Sequence, residues 1–148
     1  MTEYEEYERK CSAIREENVT LLDSFETWMT GSGLSETTAG RHRENIDFYI
    51  NELLLYDSPK HASESVDEVG MFFGYWFIWK AMWANVASLK TNSTSLKKIY
   101  DFMLKRGEVD QEDVKEMKER IKKDLPEWIA TMRRYDDPLV GQEAIWNR

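Results

Sequence analysis

A chain of 148 residues is about the size of one domain, long enough to bury roughly two-thirds of its unfolded surface around a single core. Six Trp and seven Tyr predict a core built on bulky aromatics, and the lone Cys11 excludes an intrachain disulfide or a cysteine-built metal site, pointing to a reducing, cytoplasmic setting. The net charge of −8 argues against non-specific coating of nucleic acid.

The chain opens on Met1-Thr2-Glu3-Tyr4-Glu5-Glu6, which is acidic from the start and does not read as a secretory leader. A first helix is expected over residues 3–30, where Ile14, Leu21, Leu22, Phe25, Trp28 and Met29 recur at three- and four-residue intervals and Gly31-Ser32-Gly33 ends it. That glycine pair is a turn, because no strand precedes it and no phosphate-loop pattern follows. Ser35 is a good N-cap for a second helix reaching about residue 56, with His42, Ile46, Tyr49, Ile50 and Leu53 on its buried stripe. Asp57-Ser58-Pro59 stops it, and a polar loop runs to Ser65.

A third helix, over residues 67–82, is apolar on most sides and is expected at the centre of the bundle; Trp76, Trp79 and Trp83 line up along one of its faces. Its apolar stretch, 69–79, falls far short of the ~20 residues that a bilayer span needs. A fourth helix begins at about Leu89 or Asn92 and ends at Arg106-Gly107, with Leu96, Ile99, Tyr100 and Met103 inward. Asp110 is the expected N-cap of a charged helix carrying Val114, Met117, Ile121 and Leu125. Pro126 is expected to open a separate short helix through Trp128, Ile129 and Met132, closed by Asp136-Asp137-Pro138. The fold class is therefore all-α, a bundle of five to six helices, with residues 1–135 as one domain and 136–148, including Gly141 and Trp146, as a tail.

Residues 1–36 carry nine acids against three bases, whereas residues 79–106 carry six bases against Asp101 alone. Within the basic stretch, Lys90-Thr91-Asn92-Ser93-Thr94-Ser95-Leu96-Lys97-Lys98 combines lysine charge with short hydroxyl and amide side chains at an expected helix start, the combination that phosphate binding uses. Catalytic chemistry finds no comparable grouping. The two histidines, His42 and His61, lack the four-residue spacing of a helical metal site, and the acidic runs read as solvated helix faces. No catalytic residue, metal or cofactor is expected.

Two segments carry a resemblance. "GLSETTAGRHRENIDFYINELL" at residues 33–54 and "ASLKTNSTSLKKIYDFMLKRGEV" at residues 87–109 resemble two helices of the N-terminal core-binding, SAM-like domain of tyrosine recombinases and phage integrases. The likeness covers residues 19–109, with 110–135 as a helical extension. It implies a four-helix core that forms half of a clamp on duplex DNA, with Thr38, Arg41 and Arg43 of the second helix and Lys90, Asn92, Ser95, Lys97 and Lys98 of the fourth as DNA contacts. After Val109 the family's catalytic His-x-x-Arg motif is absent, and Tyr135 stands in "RRYDDP" with no histidine before it, so no strand exchange is expected of this chain. Two functions follow as expectations: a non-catalytic DNA-binding module, accessory or regulatory in recombination, or a protein-interaction module. The second would dimerise or meet a recombinase partner through the Trp-rich helix, the charged helix at 110–124 or the Trp146 tail.

Overall fold

The first helix, α1 (Glu3–Gly31), is set at both ends by side-chain and backbone chemistry. Thr2 Oγ1 accepts the Glu5 N–H at 3.1 Å, and three acids in the first turn sit against the positive end of the helix dipole. At the other end the Gly33 N–H donates to the Thr30 carbonyl and the Leu34 N–H to the Met29 carbonyl, both at 3.1 Å. This closure places Gly33 at φ 103°, a conformation that a Cβ disfavours. Such a computed structural model describes residues 1–77 and 84–136 of the chain. The expected Trp79, Trp83, Gly141 and Trp146, and the closing Asp137-Pro138, lie outside the described residues.

Ser35 caps α2 (Glu36–Phe48), its Oγ accepting the Thr38 N–H at 3.2 Å. The helical path continues through a wider π-helical stretch, Tyr49–Leu53, so it ends three residues short of the expected position 56. Two short 3-10 turns, Ala62–Glu64 and Val66–Glu68, lead into α3 (Val69–Met71), which passes directly into a second π-helical stretch, Phe72–Trp76. Then come α4 (Val86–Lys105) and α5 (Gln111–Asp136). Among the described residues there is no strand, and no helix is long and apolar enough to cross a membrane.

The core is aromatic, as the composition predicts. Phe72 packs against Phe48, Tyr49, Phe73 and Phe77 with centroids 5.0–6.1 Å apart, Phe73 stacks on Trp128 at 5.0 Å, and Trp28 meets Phe102 at 5.3 Å. Each such pair contributes about 0.5–1.5 kcal/mol beyond its buried area. Tyr49 and Tyr100 lie fully buried with their hydroxyls 2.8 Å apart, Tyr49 also reaching the Ser65 carbonyl at 2.9 Å and Tyr100 the Ala62 carbonyl at 3.0 Å. Burial pushes both phenols above their ordinary pKa, so both keep their protons. A smaller cluster of Cys11, Ile14 and Leu55, flanked by Tyr7, holds the first turns of α1 separately from the main core.

Two further expectations about helix boundaries are corrected. The fourth helix starts at Val86, before Leu89 or Asn92, because Asn85 and Ser88 form a reciprocal cap: Asn85 Oδ1 accepts the Ser88 N–H at 2.9 Å and Ser88 Oγ the Asn85 N–H at 2.8 Å. Lys90 to Lys98 therefore lie inside α4, away from the exposed amides of its first turn. Nor does Pro126 open a separate helix, since α5 runs through it without a break. Val114, Met117 and Ile121 before the proline and Trp128 and Met132 after it are all buried, so packing on both sides holds one axis despite the lost N–H. Pro126 itself is exposed. Replacing Pro126 with Ala restores the missing hydrogen bond and should stabilise the chain by about 1–3 kcal/mol. A thermal midpoint that is unchanged or lower in Pro126→Ala would instead indicate a proline serving as a helix start.

Candidate nucleic-acid interface

α4 packs between α2 on one side and α5 on the other, and its polar residues divide accordingly. Ser95, 0% exposed, faces α2. Its hydroxyl donates to the Thr91 carbonyl at 3.0 Å and accepts from Asn45 Nδ2 at 3.0 Å, and His42 Nδ1 lies 2.7 Å away. With the serine proton on Thr91, the remaining lone pair takes a proton carried on His42 Nδ1, which satisfies all three groups. A serine beside an imidazole is also a nucleophile's pairing, but this one is sealed from any substrate. Asn92, 5% exposed, donates to the Ser88 carbonyl at 2.8 Å. Neither Asn92 nor Ser95 is available to DNA, so both expected contacts are withdrawn. Their positions give the reason: Asn92, Leu96, Ile99 and Met103 follow three- and four-residue steps on one inward stripe, and Ser95 lies such a step from both Asn92 and Ile99.

Arg43 is likewise committed elsewhere. Its guanidinium lies 2.7 Å from Asp23 and 3.8 Å from Glu26, pinning α2 to α1 and cancelling its charge locally. Thr38 is exposed but serves the cap of α2, accepting the Ser35 hydroxyl at 3.0 Å.

The remaining expected contacts are Arg41 of α2 and Lys90, Lys97 and Lys98 of α4. Burial holds the His42 imidazole below its ordinary pKa of 6.5, and Lys98 and Arg41 both press in the same direction. Lys97 and Lys98 are half-buried, Lys90 is exposed two turns earlier on the same side of α4, and none of these four cations has a carboxylate partner among the described residues.

On its other side α4 borders a groove of about 810 Å³, to which it contributes Thr94, Lys97, Lys98 and Asp101. The opposite wall and floor come from α5, with Lys118, Lys122 and Arg133 around Leu125, Pro126 and Ile129. Asp101 is paired with Lys118 at 2.7 Å, so the one acid lining the groove among the described residues is already neutralised. Turned away from it, α5 helps line a pocket of about 550 Å³ that includes Glu64, Asp67, Asp113 and Glu116 with Arg120. Cationic and anionic surfaces are thereby segregated across one helix.

No family model, curated protein or solved structure matches the chain. The interface is described by its own chemistry.

The contribution of α5 was missed because the helix was expected to break at Pro126, which separated Arg133 from Lys122. The signal was present in the steps from Lys118 to Lys122, Leu125, Ile129 and Arg133, which keep one helical phase across the proline. Ser95→Ala should cost about 1–3 kcal/mol, because it leaves the Asn45 amide and the His42 ring without their acceptor in a buried seam. Urea denaturation measures this, and a loss no larger than that of an exposed Thr94→Ala control would refute the shared role of the hydroxyl.

Proposed function

We propose that the chain is a non-catalytic DNA-binding module of site-specific recombinase or integrase type, an accessory or regulatory factor in cytoplasmic DNA recombination. The observation that carries this reading is that Arg41 of α2 and Lys90, Lys97 and Lys98 of the adjacent α4 have no carboxylate partner among the described residues. Duplex DNA presents one negative charge per roughly 1.7 Å of axis, and lysines that neutralise phosphates release condensed counterions, which drives binding. The overall charge of −8 does not prevent this. At physiological ionic strength charges are screened over about 8 Å, so a phosphate on this surface responds chiefly to the cations beside it. Thr38 at the exposed start of α2 adds a hydroxyl to the same reading.

An electrophoretic mobility shift with a mixed-sequence duplex tests it. The protein retards the duplex at ~50 mM salt and releases it as salt rises, with a log–log slope of about −0.9 for each phosphate neutralised. Changing Lys90, Lys97 and Lys98 together to Glu abolishes retardation. Failure of the unaltered protein to retard any duplex at ~50 mM salt, where electrostatic binding is strongest, refutes the proposal.

A second reading, self-association, is favoured by one specific observation. Tyr56, Met71 and Tyr75 are 50–63% exposed, and the Tyr56 ring lies 6.2 Å from that of Trp76. Exposed aromatics grouped in this way mark protein interfaces. Light scattering over a concentration series reports a dimer that Tyr75→Glu dissociates; a constant monomer mass at every concentration removes this reading.

A further inference from the structure

We infer that α5 forms the second wall of the DNA seat: one phosphodiester strand lies in the groove between α4 and α5, gripped by Lys97 and Lys98 on one side and by Lys122 and Arg133 on the other. This deepens the DNA-binding reading and rests on it. Neither of the two segments that resemble a recombinase includes α5.

Charge and its availability carry the argument. Among the described residues the groove brings five cations together with a single acid, and that acid is paired with Lys118. Lys97, Lys98, Lys122 and Arg133 have no ion-pair partner among the described residues. Like charges gathered along one groove repel one another, and a bound polyanion relieves that repulsion. Leu125 and Ile129 on the floor carry no carboxylate to compete for the cations. They also reduce water's access to the lysine stems, which strengthens each charge–phosphate contact.

Length fits as well. Lys122 and Arg133 are eleven residues apart, or about 16 Å along an α-helix, a length that spans more than one phosphate of a strand. On α4, Lys90 to Lys98 covers about 12 Å at the same rise. The two rows of cations therefore have lengths suited to successive phosphates. The acidic pocket on the opposite side of α5 repels a polyanion and so favours a single side for binding.

Fluorescence anisotropy of a labelled duplex across a salt series tests the inference with the full chain. The double variant Lys122→Gln, Arg133→Gln keeps good helix formers at exposed positions, so its circular dichroism should match that of the unaltered protein. Its salt slope should fall in magnitude by about 1.8, with a loss of affinity close to tenfold per cation at ~0.1 M salt. Lys123→Gln with Arg134→Gln removes the same charge one residue further on, about 100° round the helix, and should leave the slope unchanged. If both double variants change the slope equally, or neither does, while Lys97→Gln with Lys98→Gln still weakens binding, α5 is not a wall of the seat and DNA binding by α2 and α4 stands. Complete absence of duplex binding by the unaltered protein overturns both. Displacement of the duplex by polyglutamate of matched charge at matched concentration identifies the groove as a seat for acidic protein and overturns the inference.

Discussion

The rotational setting of α4 is the constraint on which the rest of the molecule depends. Tyr100 directs its hydroxyl into the interior, where it meets Tyr49 and the Ala62 carbonyl, while Leu89, Leu96, Ile99 and Met103 are buried along with it. Two phenolic protons serve three short contacts there, so the oxygens of Tyr49, Tyr100, Ser65 and Ala62 have to be held in register. Once that stripe faces inward, helical geometry fixes the others. Ser95 falls toward α2, Asn92 is buried against its own helix, and Lys97 and Lys98 fall beside α5. The basic surface is thus a consequence of how the tyrosine is buried.

Much of this was legible in the amino-acid sequence, and the failures have physical causes. His42, Ile46, Tyr49, Ile50 and Leu53 were readable as the inner face of α2 because apolar residues at helical spacing leave few alternatives, and all five are buried. Ser95 and Asn92 misled because their chemistry suits a phosphate equally well; only their phase on the helix distinguishes an internal hydrogen bond from an external one. Arg43 misled in a different way. Its partners, Asp23 and Glu26, lie on another helix, and pairing across helices has no signature in local spacing.

The boundaries went wrong where local preference and packing disagree. Asn85 and Ser88 cap α4 with a serine in the place more often held by Glu or Gln, so the start was read several residues too late. At Pro126 local preference favoured a break, whereas the apolar positions on either side kept an unbroken register. Proline's cost is limited to one hydrogen bond and a local clash, and burial of Ile121, Trp128 and Met132 outweighs it. The unbroken helix carries Lys122 and Arg133 on a single axis.

Cys11 lies in the small cluster away from the main core, 2% exposed, with its sulfur 3.9 Å from the Leu55 carbonyl. Few apolar groups hold that end of α1, so it is a natural place for the fold to open first. A buried thiol is inert until it is uncovered. The native cysteine is therefore a built-in clock: the rate at which a thiol reagent labels it counts how often the first turns of α1 lift from Leu55, with no substitution introduced.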